Sequence, residues 1–224
     1  MTFEVVATIP HDRQAFTQGL ELADGVLYEG TGLVGQSSVR SVDPETGDVT
    51  KKVDLPDLFG EGITVAGDSI WQITWQDGIA IRRDRATLAE TERVTYEGEG
   101  WGLCHDGDRL IMSDGTGELT FRDVTTFEET GTVQVDGLTS INELECVDGQ
   151  VWANIWQTDR IVRIDPADGK VTATVDLAGL LPEADRAGTD VLNGIAAVPG
   201  TDEFLVTGKL WPAMFRVRFV TPDP

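Results

Sequence analysis

Five segments of the chain repeat one pattern: "FTQGLELADGVLYEGTG", "FGEGITVAGDSIWQITW", "GWGLCHDGDRLIMSDGTG", "INELECVDGQVWANIW" and "LNGIAAVPGTDEFLVTGKLW". Each reads as a short strand, a tight Gly/Asp turn and a second strand rich in β-branched and aromatic residues. The turn positions Gly25, Asp68, Asp108, Gly149 and Gly200 align, at intervals of 43, 40, 41 and 51 residues. The longest interval holds "LAGLLPEADRAGTD", which reads as an insertion with a helical turn. One such unit cannot bury its apolar face alone, so the repeats must pack on one another.

A second hairpin signal follows each of the first four pairs. In "SVRSVDPETGDVTKKVDL" and "RIVRIDPADGKVTATVDL" the D-P-x-x-G stretch is turn chemistry between alternating strands. Four strands in roughly 40–45 residues is the period of a propeller blade. The expected fold is therefore all-β, a five-bladed β-propeller forming a single domain over 1–224. The last repeat ends one strand short at "MFRVRFV", and "TFEVVATIPH" precedes the first. This N-terminal strand is expected to close the last blade, which removes long exposed edges.

Composition narrows the partners. With 39 acidic residues against 17 basic ones the net charge is −22, a field that repels phosphate backbones, so nucleic acid is not an expected partner. No apolar run reaches the length of a membrane span. "MTFEVVATIP" shows no basic segment followed by an apolar one, so no signal peptide is visible. A cytoplasmic chain and one relieved of a leader fit equally. The carboxylate-rich, lysine-poor surface suits a high-salt interior. A monomer is expected. Cys104 and Cys146, without a C-x-x-C spacing, read as two small buried residues. Cys104 and His105 are adjacent and point to opposite faces of a strand, against a shared zinc site. No motif supports a triad on His11 or His105.

Blades are equivalent, so one column of the repeat occupies one place around the axis. Seven residues before each turn stand Gln18, Glu61, Trp101, Asn142 and Asn193, where small and aliphatic residues are the norm. These side chains should converge near the central channel, as a functional set or as a lining that binds water. A second column, near the end of the second strand, holds Gly32, Trp75, Gly115, Trp156 and Lys209. Lys209 is one of only four lysines, and it takes the place of a tryptophan in two other blades. Trp71 and Trp152 fall in a column that is apolar in every blade, so they read as packing between blades.

At these positions the chain resembles the glutamine cyclotransferase family of plant and bacterial type. The matching stretches include "AFTQGLEL", "YEGTGLVGQSS", "FGEGIT", "TWQDG", "GEGWGL", "NELE", "NIWQTDRIVRIDP" and "VTGKLWP", from about Phe16 to Pro212. The resemblance implies a five-bladed propeller that converts an N-terminal glutamine of peptides or proteins to pyroglutamate with release of ammonia. It places the active-site glutamate on Glu61, with Lys209, Trp75, Trp156 and Asn142 as further catalytic positions. It places substrate-binding positions on Phe16, Gln18, Phe59 and Trp101.

Cyclisation is an intramolecular acyl transfer, because the substrate's α-amine attacks its own side-chain amide. The site must fold the substrate, stabilise an oxyanion and move a proton to the leaving ammonia. Glu61 is the expected proton carrier. The indole N–H groups of Trp75, Trp101 and Trp156 are expected to face the amide oxygen, since they can only donate. Lys209 is expected near that oxygen or near Glu61, and Asn142 and Gln18 are expected to orient the substrate. No cofactor or metal is required, and the reading allows a structural ion in the central channel. The alternatives are a metal-dependent propeller hydrolase or lactonase using Glu61, Asn142 and Asn193, and a non-catalytic peptide-binding propeller.

Overall fold

Strand β1 (Thr2–Pro10) runs ahead of the first repeat. Blade 1 is β2 (Thr17–Ala23), β3 (Val26–Thr31), β4 (Ser38–Val42) and β5 (Val49–Asp54). Blade 2 is β6 (Gly60–Ala66), β7 (Ser69–Thr74), β8 (Ile79–Asp84) and β9 (Glu90–Thr95). Blade 3 is β10 (Leu103–His105), β11 (Leu110–Ser113), β12 (Glu118–Arg122) and β13 (Glu129–Gln134). Blade 4 is β14 (Ile141–Val147), β15 (Gln150–Ile155), β16 (Arg160–Asp165) and β17 (Lys170–Asp176). Blade 5 is β18 (Leu192–Ala197), β19 (Glu203–Gly208) and β20 (Ala213–Val220), with β1 as its outermost strand. This computed structural model describes residues 1–221. The last three residues of the domain expected over 1–224 lie outside the described residues.

The five four-stranded antiparallel sheets are those anticipated from the repeats. β1 pairs with β20 from Thr2↔Val220 to Pro10↔Ala213, so the N-terminal strand closes the last blade as expected. Beyond β1 the closure continues with polar groups. His11 Nε2 and Arg40 Nε both reach the buried Glu29, at 3.0 and 2.8 Å. His11 Nδ1 lies 2.9 Å from the carbonyl of Trp211. Burial alone would push the Glu29 carboxyl up, but the facing His11 and Arg40 hold it down at about 2. The insertion before blade 5 contains the expected helical turn, a 3-10 turn over Glu183–Asp185.

Inner strands are buried on both faces and outer strands are largely exposed, because the packing surfaces lie between blades. Trp71 and Trp152 are buried there, as their column suggests. Trp71 also donates its N–H to the carbonyl of Val124, so its polar atom is satisfied.

At the axis the innermost strands approach so closely that side chains do not fit. A Cβ on Gly19 would lie 2.5 Å from the Ile63 nitrogen, and one on Gly62 would lie 2.6 Å from the Leu103 nitrogen. One on Gly102 would lie 2.2 Å from the Asn142 oxygen. The equivalent residue of blade 4 is Glu143. Its carboxylate crosses the axis and accepts the Leu20 N–H of blade 1 at 2.9 Å. Further along, Glu21 accepts from the Thr64 hydroxyl and the Val65 N–H, both at 2.7 Å. Glu145 accepts the Ala197 N–H at 3.1 Å. Burial raises the pKa of all three carboxyls.

Cys104 of β10 and Cys146 of β14 form a disulfide, with Cα atoms 5.4 Å apart. This corrects the expectation of two small buried residues, since the pair is bonded and Cys146 is only partly buried. Their separation of 42 residues is almost one repeat, so both stand on innermost strands of neighbouring blades at nearly the same height.

Two stability predictions follow from these contacts. Closing a loop of that length constrains the unfolded chain by about 4 kcal/mol. Replacing both cysteines by serine should lower the unfolding free energy in urea by a comparable amount. An unchanged midpoint would deny the bond a stabilising role. Glu21, whose folded pKa is raised, holds its proton after the unfolded chain has lost it. Its contribution to stability therefore falls as pH rises above about 4.5, until the folded carboxyl also ionises. Glu21→Gln keeps the acceptor and removes the titration, so its Tm should fall less than wild type between about pH 5 and about pH 8. Parallel curves would mean that Glu21 does not titrate as burial dictates.

Candidate active site

In four blades the innermost ladder slips at the same place. The slips lie between Thr17 and Gly19, Gly60 and Ile63, Ile141 and Leu144, and Leu192 and Ile195. They free Gln18, Glu61, Asn142 and Asn193 from regular pairing, and such bulges re-aim side chains. In blade 3 the ladder begins only at Leu103, beyond Trp101. The polar column read from the repeats is thus a ring of irregular strand starts at one mouth of the propeller.

A cavity of about 390 Å³ opens at that mouth. All nine residues expected of the site line it: Phe16, Gln18, Phe59, Glu61, Trp75, Trp101, Asn142, Trp156 and Lys209. Asn193 lies behind the wall and donates to the Thr17 carbonyl at 3.0 Å and to Gln18 Oε1 at 3.3 Å. That fixes the Gln18 amide so that its Nε2 donates to Glu61 Oε1 at 2.8 Å. Glu61 is buried, and burial raises its pKa well above the usual glutamate range, only partly offset by the charge of Lys209.

The walls form an aromatic belt. Phe16 meets Phe59 edge-on at 6.2 Å and Phe59 meets Trp75 at 5.5 Å. Trp101 meets Trp156 at 5.5 Å, also edge-on. The two glycines of the tryptophan column make room for these rings. A Cβ on Gly32 would lie 2.4 Å from the Phe59 ring, and one on Gly115 would lie 2.5 Å from Trp101. Lys209 closes the belt, with its ammonium 4.8 Å from the centre of the Phe16 ring. It is 6% exposed, and among the described residues it has no carboxylate oxygen within 4.0 Å. Burial lowers its pKa, against the fields of Glu61, Asp190 and Glu143.

One expected role is corrected. The indole N–H groups of Trp75 and Trp101 are already engaged by a carboxylate. Both donate to Oε2 of Glu99, at 2.8 and 3.0 Å, while Gln76 donates to its Oε1 at 2.9 Å. Trp156 lines the same cavity, is partly exposed at its mouth, and among the described residues makes no hydrogen bond through its indole N–H. Glu99 was not among the expected residues. Its signal was its place in "GEGWGL", two residues before Trp101.

The cavity lining contains no serine, threonine, cysteine or histidine. Among the described residues no group of three or more His, Cys, Asp or Glu side chains is arranged to hold a metal ion.

With this geometry in place, comparison with known proteins is specific. The family model for glutamine cyclotransferase matches residues 1–219. The chain is 41% identical over 227 residues to a glutaminyl-peptide cyclotransferase of Arabidopsis thaliana, covering 96% of this chain and 70% of that one. The crystal structure of Myxococcus xanthus glutaminyl cyclase superposes with a TM-score of 0.92 at 36% identity, covering 99% of this chain and 98% of the other. A β-propeller domain from Myceliophteria thermophila, 10% identical, superposes at 0.57 over 97% of this chain and all of that one, a likeness of fold alone. The chain belongs to the glutamine cyclotransferase family.

Proposed function

We propose that this protein is a glutaminyl-peptide cyclotransferase that closes the N-terminal glutamine of peptides to pyroglutamate, releasing ammonia without a metal. One observation carries the reading. The cavity offers a buried carboxylate and a buried ammonium, but no hydroxyl, thiol or imidazole. Such a lining fits a reaction whose substrate brings its own nucleophile. Lys209 faces the same space, where a dication would meet like charge, and this weighs against the hydrolase alternative.

The substrate enters with its α-amine protonated, since the reference pKa is about 7.7–8.0. Glu61, with its pKa raised by burial, takes the proton. The freed amine attacks the side-chain amide carbon, which the aromatic belt holds within reach. Negative charge gathers on the amide oxygen, and Lys209 and the Trp156 N–H are the donors in the cavity wall that would meet it. Glu61 then gives its proton to the departing nitrogen, the carbon–nitrogen bond breaks as the lactam forms, and the emptied carboxylate takes the second proton from the ring nitrogen and passes it on, so that the nitrogen leaves as ammonium. Gln18 fixes the orientation of Glu61 through its hydrogen bond. Asn142, buried in the cavity wall, would orient the amide.

Ammonia release from a Gln-initiated peptide tests the reading. Glu61→Gln should lower kcat roughly 10²–10⁴-fold while the fold is kept, and near-full activity would remove Glu61 from the chemistry. In wild type the acid limb should lie well above the ordinary glutamate range, because activity is lost as pH falls through the raised Glu61 pKa. Lys209→Met keeps the packing on Phe16 and removes the charge. It should lower kcat about 10²-fold and move the acid limb to higher pH, since Lys209 lowers the Glu61 pKa. Unchanged kinetics and an unmoved limb would leave the lysine a role in packing only.

A further inference from the structure

A second cavity of about 370 Å³ adjoins the first and shares Gln157, Asp190 and Val191 with it. One wall is the segment Gln157–Asp159, which follows β15. The other is the insertion before blade 5, through Arg186 and Thr189. Both walls are held by local hydrogen bonds. Thr158 bonds back to the Ile155 carbonyl through its N–H and its hydroxyl, at 3.1 and 2.7 Å. Thr189 bonds to the Arg186 carbonyl in the same two ways. The end of the insertion is tied to the site itself. The Asp190 N–H donates to the Lys209 carbonyl, and the Lys209 N–H donates to the Val191 carbonyl, both at 2.9 Å.

Cyclisation uses only atoms of the first residue of a peptide. The rest of the chain must leave through the cavity mouth, and the groove begins there, beside Gln157. We propose that this groove is a subsite for the second and third residues of the peptide substrate, and that it favours basic over acidic side chains. The proposal rests on the cyclotransferase reading. The charge preference comes from Asp159 and Asp190 on its walls. The one cation there, Arg186, directs its Nε to the Leu181 carbonyl at 3.3 Å and lies 3.5 Å from Glu183.

The test compares kcat/KM for Gln-Arg-Ala-amide, Gln-Ala-Ala-amide and Gln-Glu-Ala-amide at low ionic strength, in wild type, Asp159→Asn and Asp159→Lys. Wild type should favour the arginine peptide over the glutamate peptide by about three- to tenfold. That ratio should shrink in Asp159→Asn and approach one or invert in Asp159→Lys. The overall charge of −22 also favours cations, but one substitution barely changes it, so movement of the ratio reports the groove. The same ratio in all three proteins overturns the proposal while leaving cyclisation intact. If Asp159→Lys does not fold, the asparagine variant decides. Ammonia from none of the peptides overturns the cyclotransferase reading, and the subsite with it.

Discussion

The innermost strands approach one another so closely around the axis that the backbone of one blade touches that of the next, and most of the structure depends on this contact. Gly19, Gly62 and Gly102 are fixed by it, since a single added carbon would sit inside a neighbouring main chain. Strands converging this tightly cannot keep a regular ladder to their ends. The slips that relieve the crowding fall one residue earlier, and so turn Gln18, Glu61 and Asn142 into the mouth. Crowding at the axis and convergence of the functional side chains have one cause. Glu143 is informative because it breaks the glycine pattern and fills the middle with a carboxyl that links blades 4 and 1.

The electrostatics of the mouth follow from burial. An ammonium and a carboxylate both lose hydration in this cavity, which pushes the Glu61 pKa up and the Lys209 pKa down. The two pKa values are brought toward each other, which suits a site that must accept a proton and return it. The ring of Phe16 replaces part of the lost hydration of Lys209 through its negative face. Such an arrangement costs folding free energy and is tolerated where chemistry needs it. The disulfide between blades 3 and 4 and the ion pairs on Glu29 that join blade 1 to the start of the ring stabilise the scaffold elsewhere.

Much of this was legible in the sequence because repetition converts position along the chain into position around an axis. The turn spacing gave the blades, the missing strand gave the closure by β1, and two columns gave the cavity wall. Repetition does not give rotamers. The columns placed Trp75 and Trp101 beside the substrate space but not the direction of their N–H groups, which Glu99 sets. Glu99 lies in the loop before β10, outside any strand, so no column contains it. The cysteine pair was hidden for a related reason. Its spacing matches the blade period, and that period means proximity only once the ring is known. The groove beside blade 5 is built by the insertion, the one segment without a counterpart in other blades.

Asp190 in the cavity wall and Glu99 behind the Trp75 and Trp101 indoles bear on the far end of the reaction cycle. A peptide arrives carrying a positive amine and departs as a neutral lactam. A negative surround attracts a protonated amine and has no such attraction for the neutral closed ring. The chemical step thus erases the one charge that every substrate brings to the cavity and the product lacks.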